Sequence, residues 1–325
     1  MYSTLASNSE SAIKTALCIV AVSLALMLLS GCGDSSSTTQ VSNAPNETTD
    51  AFNLEFKAMV GELALNCDDT YSGLAAEQNY AIGVSDLRFY VSNIQFYDTN
   101  GASLATTLDD NAFQLNHAAG SVSLIDFTGS DSGYCELAAE GTARTNTQIT
   151  GQVADSAIAA ISFDIGVPQA TMKAVIAATD NVEDTPSPLA EMYWSWASGY
   201  RHFVMNFTAM DATHTEFTEN SGVHLGSRDC GTTGKALSEQ DHCGLLNTPM
   251  VFLDNFDPSI NSIVVDVEAI LANLQAADFA GGGSFGAQCH SGISQDACHA
   301  VFPAFGLDLL SGQASAQNNS VFKTQ

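Results

Sequence analysis

The chain has 325 residues, with 36 acidic against 9 basic side chains, a formal net charge of −27 at pH 7 and 45% hydrophobic residues. That apolar content is enough to bury a core and excludes a disordered acidic polymer. The charge excludes a nucleic-acid reader, which needs a basic footprint to neutralise phosphate, and excludes docking on anionic lipid through a polybasic face. Metal cations and basic proteins remain as partners.

The apolar run from Ala16 to Leu29 is too short to span a bilayer and fits the hydrophobic region of a signal peptide, with Lys14 ahead of it. It closes into Leu29-Ser30-Gly31-Cys32, which resembles the bacterial lipoprotein lipobox. That resemblance implies a signal peptide over 1–31, lipidation of Cys32 and membrane contact through the lipid anchor alone. Gly33 rather than Asp follows the cysteine, which by analogy with lipoprotein sorting favours the outer membrane, periplasmic or surface-exposed. Residues 32–50 are rich in Ser, Thr and Asn and read as a flexible tether. A single domain is expected over 51–310, and 311–325 reads as a polar, frayed tail.

Phe52, Leu54, Phe56, Ala58 and Val60 alternate with polar or exposed positions, which is the period of a half-buried strand. Leu87, Phe89 and Val91 alternate, and then Ile94 and Phe96 shift parity, so a bulge is expected near Asn93. The Asn100-Gly101 pair that follows signals a hairpin. Further alternating runs are Ile161/Phe163/Ile165/Val167, Phe203/Met205/Phe207 and Ile263/Val265/Val267. Helix signal is sparse: Glu268–Ala277 is expected as a short amphipathic helix, and Asp155–Ala160 as one more turn. Residues 181–188 read as a long loop. The expectation is a mainly β single domain, a β-sandwich or distorted barrel with a few short helices and long loops, stabilised by disulfides.

Of the eight cysteines, Cys18 leaves with the signal peptide and Cys32 takes lipid. Cys67, Cys135, Cys230, Cys243, Cys289 and Cys298 remain, an even number in an exported chain, and so point to disulfides. Sequence alone fixes no pairing; the simplest joins neighbours along the chain. No C-x-x-C, H-E-x-x-H, G-x-S-x-G or Walker motif occurs, and no EF-hand loop surrounds the Asp109-Asp110 pair.

Both tryptophans, Trp194 and Trp196, sit in the run Glu191–Phe207 at a spacing that puts two side chains on one face of a strand. Gly222-Val223-His224-Leu225-Gly226-Ser227 and Cys230 follow. With the run Leu87–Ile94, the LIDF of Leu124–Phe127, the FDIGVP of Phe163–Pro168 and the PSPL of Pro186–Leu189, these blocks in order resemble the MbnP-type copper-binding proteins, the four-Cys member of the metallo-mystery pair, related to CorA and MopE. The resemblance covers most of 51–308. It implies a β-rich, exported protein that binds copper and is not itself an enzyme, with copper enzyme chemistry left open. It further implies a tryptophan oxidised to kynurenine as a ligand, and a di-haem cytochrome c peroxidase-like partner as the oxidant. His224 matches the histidine of the family's HLGS block, and Trp194 and Trp196 match its W-x-W pair.

One departure bears on the site. Many relatives carry Asn-His between G-V-P and P-S-P-L; here the stretch 169–185 has no histidine, and Asn181 is followed by Val182. Substitute ligands are His202, Met192 or His117. His290 and His299 flank the Cys289 and Cys298 positions, where a second metal site is conceivable and a solvated loop is the favoured reading. The alternative function is a metal-free extracellular binding or adhesion module on the same scaffold.

Overall fold

The computed structural model describes residues 48–137, 142–179, 184–195, 199–210, 217–230, 243–280 and 286–325. The signal peptide, Cys32, nearly all of the tether, Trp196, His214 and His242 lie outside the described residues. In chain order the strands are β1 (Thr49–Val60), β2 (Leu63–Ala64), β3 (Tyr71–Leu74), β4 (Tyr80–Asp98), β5 (Ser103–Leu104), β6 (Thr106–Leu108), β7 (Gln114–Leu115), β8 (Val122–Asp126), β9 (Gln148–Ala154) and β10 (Ile158–Ile165). Helix α1 (Gln169–Ala178) leads to β11 (Tyr193–Ser195), β12 (Gly199–Met210), β13 (Phe217–Gly226), β14 (Met250–Asp254) and β15 (Ile263–Asp266). Then come α2 (Val267–Leu271), α3 (Ala276–Ala280), β16 (Gln288–Cys289), α4 (Asp296–Ala304), β17 (Phe305–Leu307), β18 (Ala314–Asn319) and β19 (Phe322–Thr324).

These strands form two main sheets that face each other across an apolar core. The smaller runs β19-β15-β1-β9-β6 and the larger β14-β10-β4-β12-β13-β16, with β3, β5, β7, β8 and β11 attached to the larger. The two sheets stay separate and neither closes into a barrel, so the sandwich is the correct half of the expectation. Period-two alternation builds the interior. Phe52, Leu54, Phe56, Ala58 and Val60 of β1 are all buried. Phe56 meets Phe89 and Phe163 edge-on at 5.8 and 6.0 Å. Phe322 of β19 meets the same two rings at 5.5 and 5.9 Å. Each such ring contributes about 1.5–3 kcal/mol through burial.

The parity shift in β4 is a bulge: Asn93 takes φ 52° and the register against β10 slips between Ser162 and Asp164. Gly101 closes the next hairpin at φ 79°, a conformation that favours glycine. Three disulfides join sequence neighbours: Cys67–Cys135, Cys230–Cys243 and Cys289–Cys298.

One helix goes beyond the sequence reading, and three local expectations are corrected. Residues 169–178 form α1, whose Thr171, Met172, Val175 and Ile176 are buried at helical spacing against the outer face of the larger sheet. Residues 268–277 do not form one helix. They split into the end of α2 and the start of α3, with a turn in which Leu274 N–H donates to Leu271 O and the Asp278 carboxylate caps Gln275. Residues 155–160 are a turn and the start of β10 rather than helix. Residues 311–325 are not a frayed tail: they contain β18 and β19, and β19 pairs with β15 at the sheet edge. Among the described residues no helix is long and apolar enough to cross a membrane.

Candidate metal centre

The larger sheet has one face turned to the core and one turned away from it. Residues at odd positions of β4 and β12, Leu87, Phe89, Phe203 and Met205, enter the core. The alternate positions Asp86 and Arg88 of β4, Asn206 of β12 and His224 of β13 share the opposite face, through the pairs Asp86↔Asn206, Asn206↔Gly222 and Val204↔His224. That face is not open to solvent: Asp86, Arg88 and Asp126 are buried. The chain from Thr185 to Trp194 lies over part of it, held by Tyr90, whose hydroxyl donates to Pro188 O at 2.9 Å and accepts from Met192 N–H at 3.2 Å.

His224 stands between two glycines on its own strand, and both leave necessary space. A Cβ at Gly226 would lie 3.0 Å from Cε3 and Cζ3 of Trp194, so the benzenoid ring of that indole rests over Gly226, one pleat along from His224. A Cβ at Gly222 would lie 3.3 Å from Asn206 Oδ1, 3.5 Å from Gln288 Oε1 and 3.6 Å from His224 Nε2, so three polar atoms converge over that glycine.

Beyond β13 the edge is extended by β16, parallel, with Gly222↔Gln288 and Val223↔Cys289 in register. The next residue, His290, brings its ring edge-to-face with that of His224 at 4.5 Å between centres. The segment is tied down from several sides. Ser291 Oγ donates to His224 O at 3.1 Å and accepts from Gly226 N–H at 2.9 Å. Arg228 Nη1 donates to His290 O at 3.0 Å. Gln295 Oε1 accepts from His290 N–H at 2.7 Å, and the Cys289–Cys298 disulfide links the segment to α4. His290 is thus half-buried against His224, not a solvated loop residue; the sequence missed it because the contact is made across a parallel strand pair far apart in the chain.

Burial pulls the His224 imidazole down to about 3, with His290, Arg201 and Arg88 adding repulsion. Burial also lowers His290, helped by Arg201 and Arg228. Both rings are therefore neutral at pH 7, the form that ligates metal. An imidazole bound at about 2.0 Å puts its ring centre about 3.2 Å from the ion, so two rings on one ion have centres within about 6.4 Å. The 4.5 Å separation fits that limit. Among the described residues no group of three or more His, Cys, Asp or Glu side chains gathers to hold an ion. What the fold brings together here is two imidazoles beside an indole, and imidazole is a ligand type that suits copper.

The other candidates lie elsewhere. His202 is fully buried, Val167 N–H donates to its Nδ1 at 3.3 Å and its Nε2 faces Leu246 O at 3.1 Å, so the backbone occupies both ring nitrogens. Met192 belongs to the apolar cluster on the outer face with Leu189, Met172 and Tyr200. His117 accepts from Ala119 N–H at 3.1 Å within its own turn, and His299 is exposed on α4 beside Ile293 O at 3.0 Å. Beneath the centre, Arg88 pairs with Asp86 through two hydrogen bonds, 2.8 and 2.7 Å, and lies 4.0 Å from Glu191, which also pairs with Arg144. Burial pushes the Asp126 carboxyl up to about 7.

Residues 49–291 match the MbnP family model. Among solved structures, MbnP from Methylosinus trichosporium is similar at 21% identity and a TM-score of 0.62, over 85% of this chain and 98% of that one. That likeness concerns the fold. No curated protein matches the chain.

Proposed function

The chain belongs to the MbnP family, and from that premise we propose that it is an exported, lipid-anchored copper-binding protein of the outer membrane that acts with a di-haem cytochrome c peroxidase-type partner. The observation that carries the reading is the His224–His290 ring pair, 4.5 Å between centres, one pleat from the Trp194 indole. His224 and His290 would hold the ion, and Trp194 or Trp196 would be the residue the partner oxidises to kynurenine. Copper, when bound, supplies a soft, redox-active centre. The chain supplies two neutral imidazoles, a disulfide-tied segment that fixes one of them, and an acidic surface that concentrates cations. The protein itself turns over no substrate in this reading.

Copper content after native purification tests it. One copper per chain is expected in the wild type, and a loss of about tenfold or more in affinity in both His224→Ala and His290→Ala. Equal copper in all three would remove the pair from the site. The mass of the peptide carrying Trp194 and Trp196, with and without the di-haem partner, tests the oxidation.

The missing histidine over 169–185 favours a second reading, a metal-free binding module. No copper after native purification, together with an unmodified tryptophan peptide, would select it.

A further inference from the structure

We propose that Asp86, acting through Asn206, holds His224 as the Nε2–H tautomer, so that Nδ1 is the nitrogen it presents to a metal. The inference rests on the copper reading above but is drawn from the hydrogen bonds of the metal-free chain.

Arg88 is fully buried and donates from Nε and Nη2 to the two oxygens of Asp86 at 2.8 and 2.7 Å. This fork fixes the carboxylate plane and makes both of its oxygens acceptors. Asp86 Oδ2 faces Asn206 Nδ2 at 3.5 Å. An amide turned the other way would set two acceptors against each other, so the carboxylate decides which end of Asn206 faces His224. The end that does is Oδ1, 2.7 Å from His224 Nε2. A carbonyl oxygen accepts only, so Nε2 carries the hydrogen. A neutral imidazole has one N–H, and its lone pair is therefore on Nδ1. Gly222 leaves the space in which this meeting occurs. On the neighbouring ring, Gln288 Oε1 lies 2.6 Å from His290 Nε2, the same arrangement from an independent residue. Each ring thus commits Nε2 to an amide oxygen and keeps Nδ1 for another partner. Asn206 and Asp86 are positioning residues: they touch no ion and act through the ring.

Nitrogen-15 NMR of the metal-free chain, labelled at histidine, reads the tautomer directly. A protonated Nε2 and a bare Nδ1 are expected for His224, and addition of Cu(I), which is diamagnetic, should move the Nδ1 resonance while Nε2 keeps its proton. Asn206→Leu should give a mixture of tautomers and weaken copper binding by about 10–100-fold. A wild-type His224 protonated on Nδ1, or copper bound at Nε2, overturns the proposal, as does unchanged copper affinity in a folded Asn206→Leu with mixed tautomers. If the wild type shows the Nε2–H form yet binds no copper, the copper reading fails and the tautomer assignment stands.

Discussion

Two imidazoles on this sheet, one buried and one half-buried, face opposite fates. His202 sits where β12 passes the Gly166–Pro168 turn, and main-chain groups of Val167 and Leu246 take both of its nitrogens. His224, on the adjacent strand, meets side-chain amide oxygen at one nitrogen and keeps the other uncommitted to the backbone. Burial lowers both, to about 4 and about 3, so both are neutral at pH 7. Protonation state therefore does not separate a structural histidine from a candidate ligand. What separates them is whether the fold consumes the lone pair. At 202 it does, because a backbone N–H points at Nδ1. At 224 glycines on either side keep the backbone back and let polar side chains in.

The sharpest way to break this contrast is to remove the charge under the His224 side. Arg88→Leu leaves Asp86 buried without its guanidinium partner, and such a loss costs about 3–5 kcal/mol. Denaturant unfolding should show a destabilisation of that size. The same change frees Asn206 to turn, so any folded fraction should bind copper more weakly. A change below about 1 kcal/mol would mean that the Arg88–Asp86 pair is not the anchor.

Paired alanine substitutions sharpen the contrast next. His202→Ala strands Val167 N–H in the interior, at about 1–3 kcal/mol, and should leave copper stoichiometry intact. His224→Ala should do the reverse, with copper lost and stability lowered by less than His202→Ala. If His202→Ala also loses copper while remaining folded, the division between the two histidines is wrong.

The pH dependence of the metal-free chain adds a third measurement. The two imidazoles have folded values below the ordinary 6.5, so the unfolded chain takes up protons first as pH falls. Their contribution is complete above about pH 6.5 and drains below it, by up to about 1.4 kcal/mol per pH unit for buried His202 and less for half-buried His224. Asp126 runs the other way. Its carboxyl is raised from 3.8 to about 7, so its contribution is complete below about pH 3.8 and is lost as pH rises towards 7. Over the shared window the slopes oppose each other. Asp126→Asn should therefore steepen the rise of unfolding free energy between about pH 4 and 6.5, and an unchanged slope would show that Asp126 titrates as an ordinary carboxyl.

Much of the scaffold was legible because it rests on local rules. The parity shift in β4 marked the bulge at Asn93, and Asn100-Gly101 marked its hairpin. The candidate centre was half legible. The family resemblance picked out His224 and the tryptophan run, and Trp194 does lie one pleat away. His290 was not legible, since its neighbour relation runs through β13 and β16, joined only in three dimensions. Asp86 and Arg88 alternate with Leu87 and Phe89, and alternation says which face is polar but not whether another segment covers it. Here Glu191 and the chain around it do so. The strands at 314–324 were missed because Phe322, which packs on Phe89 and Phe163, is a lone aromatic in a polar run.

The smallest expected effect is the most discriminating. Gly222→Ala adds one methyl at 3.3–3.6 Å from Asn206 Oδ1, Gln288 Oε1 and His224 Nε2. Nothing in the backbone opposes it, since Gly222 does not take a positive φ, and alanine lowers the entropy of the unfolded chain. Stability should therefore change by less than about 1 kcal/mol in either direction. Only Asn206 Oδ1, at 3.3 Å, lies nearer than ordinary contact and must give by a few tenths of an ångström, which disturbs the 2.7 Å bond that orients His224. Copper affinity should fall by a few-fold, within the range of lost supporting contacts of about 10–100-fold at most. If Gly222→Ala left copper affinity untouched at unchanged stability, the polar atoms above that glycine would be neighbours of the ring and not what aims it.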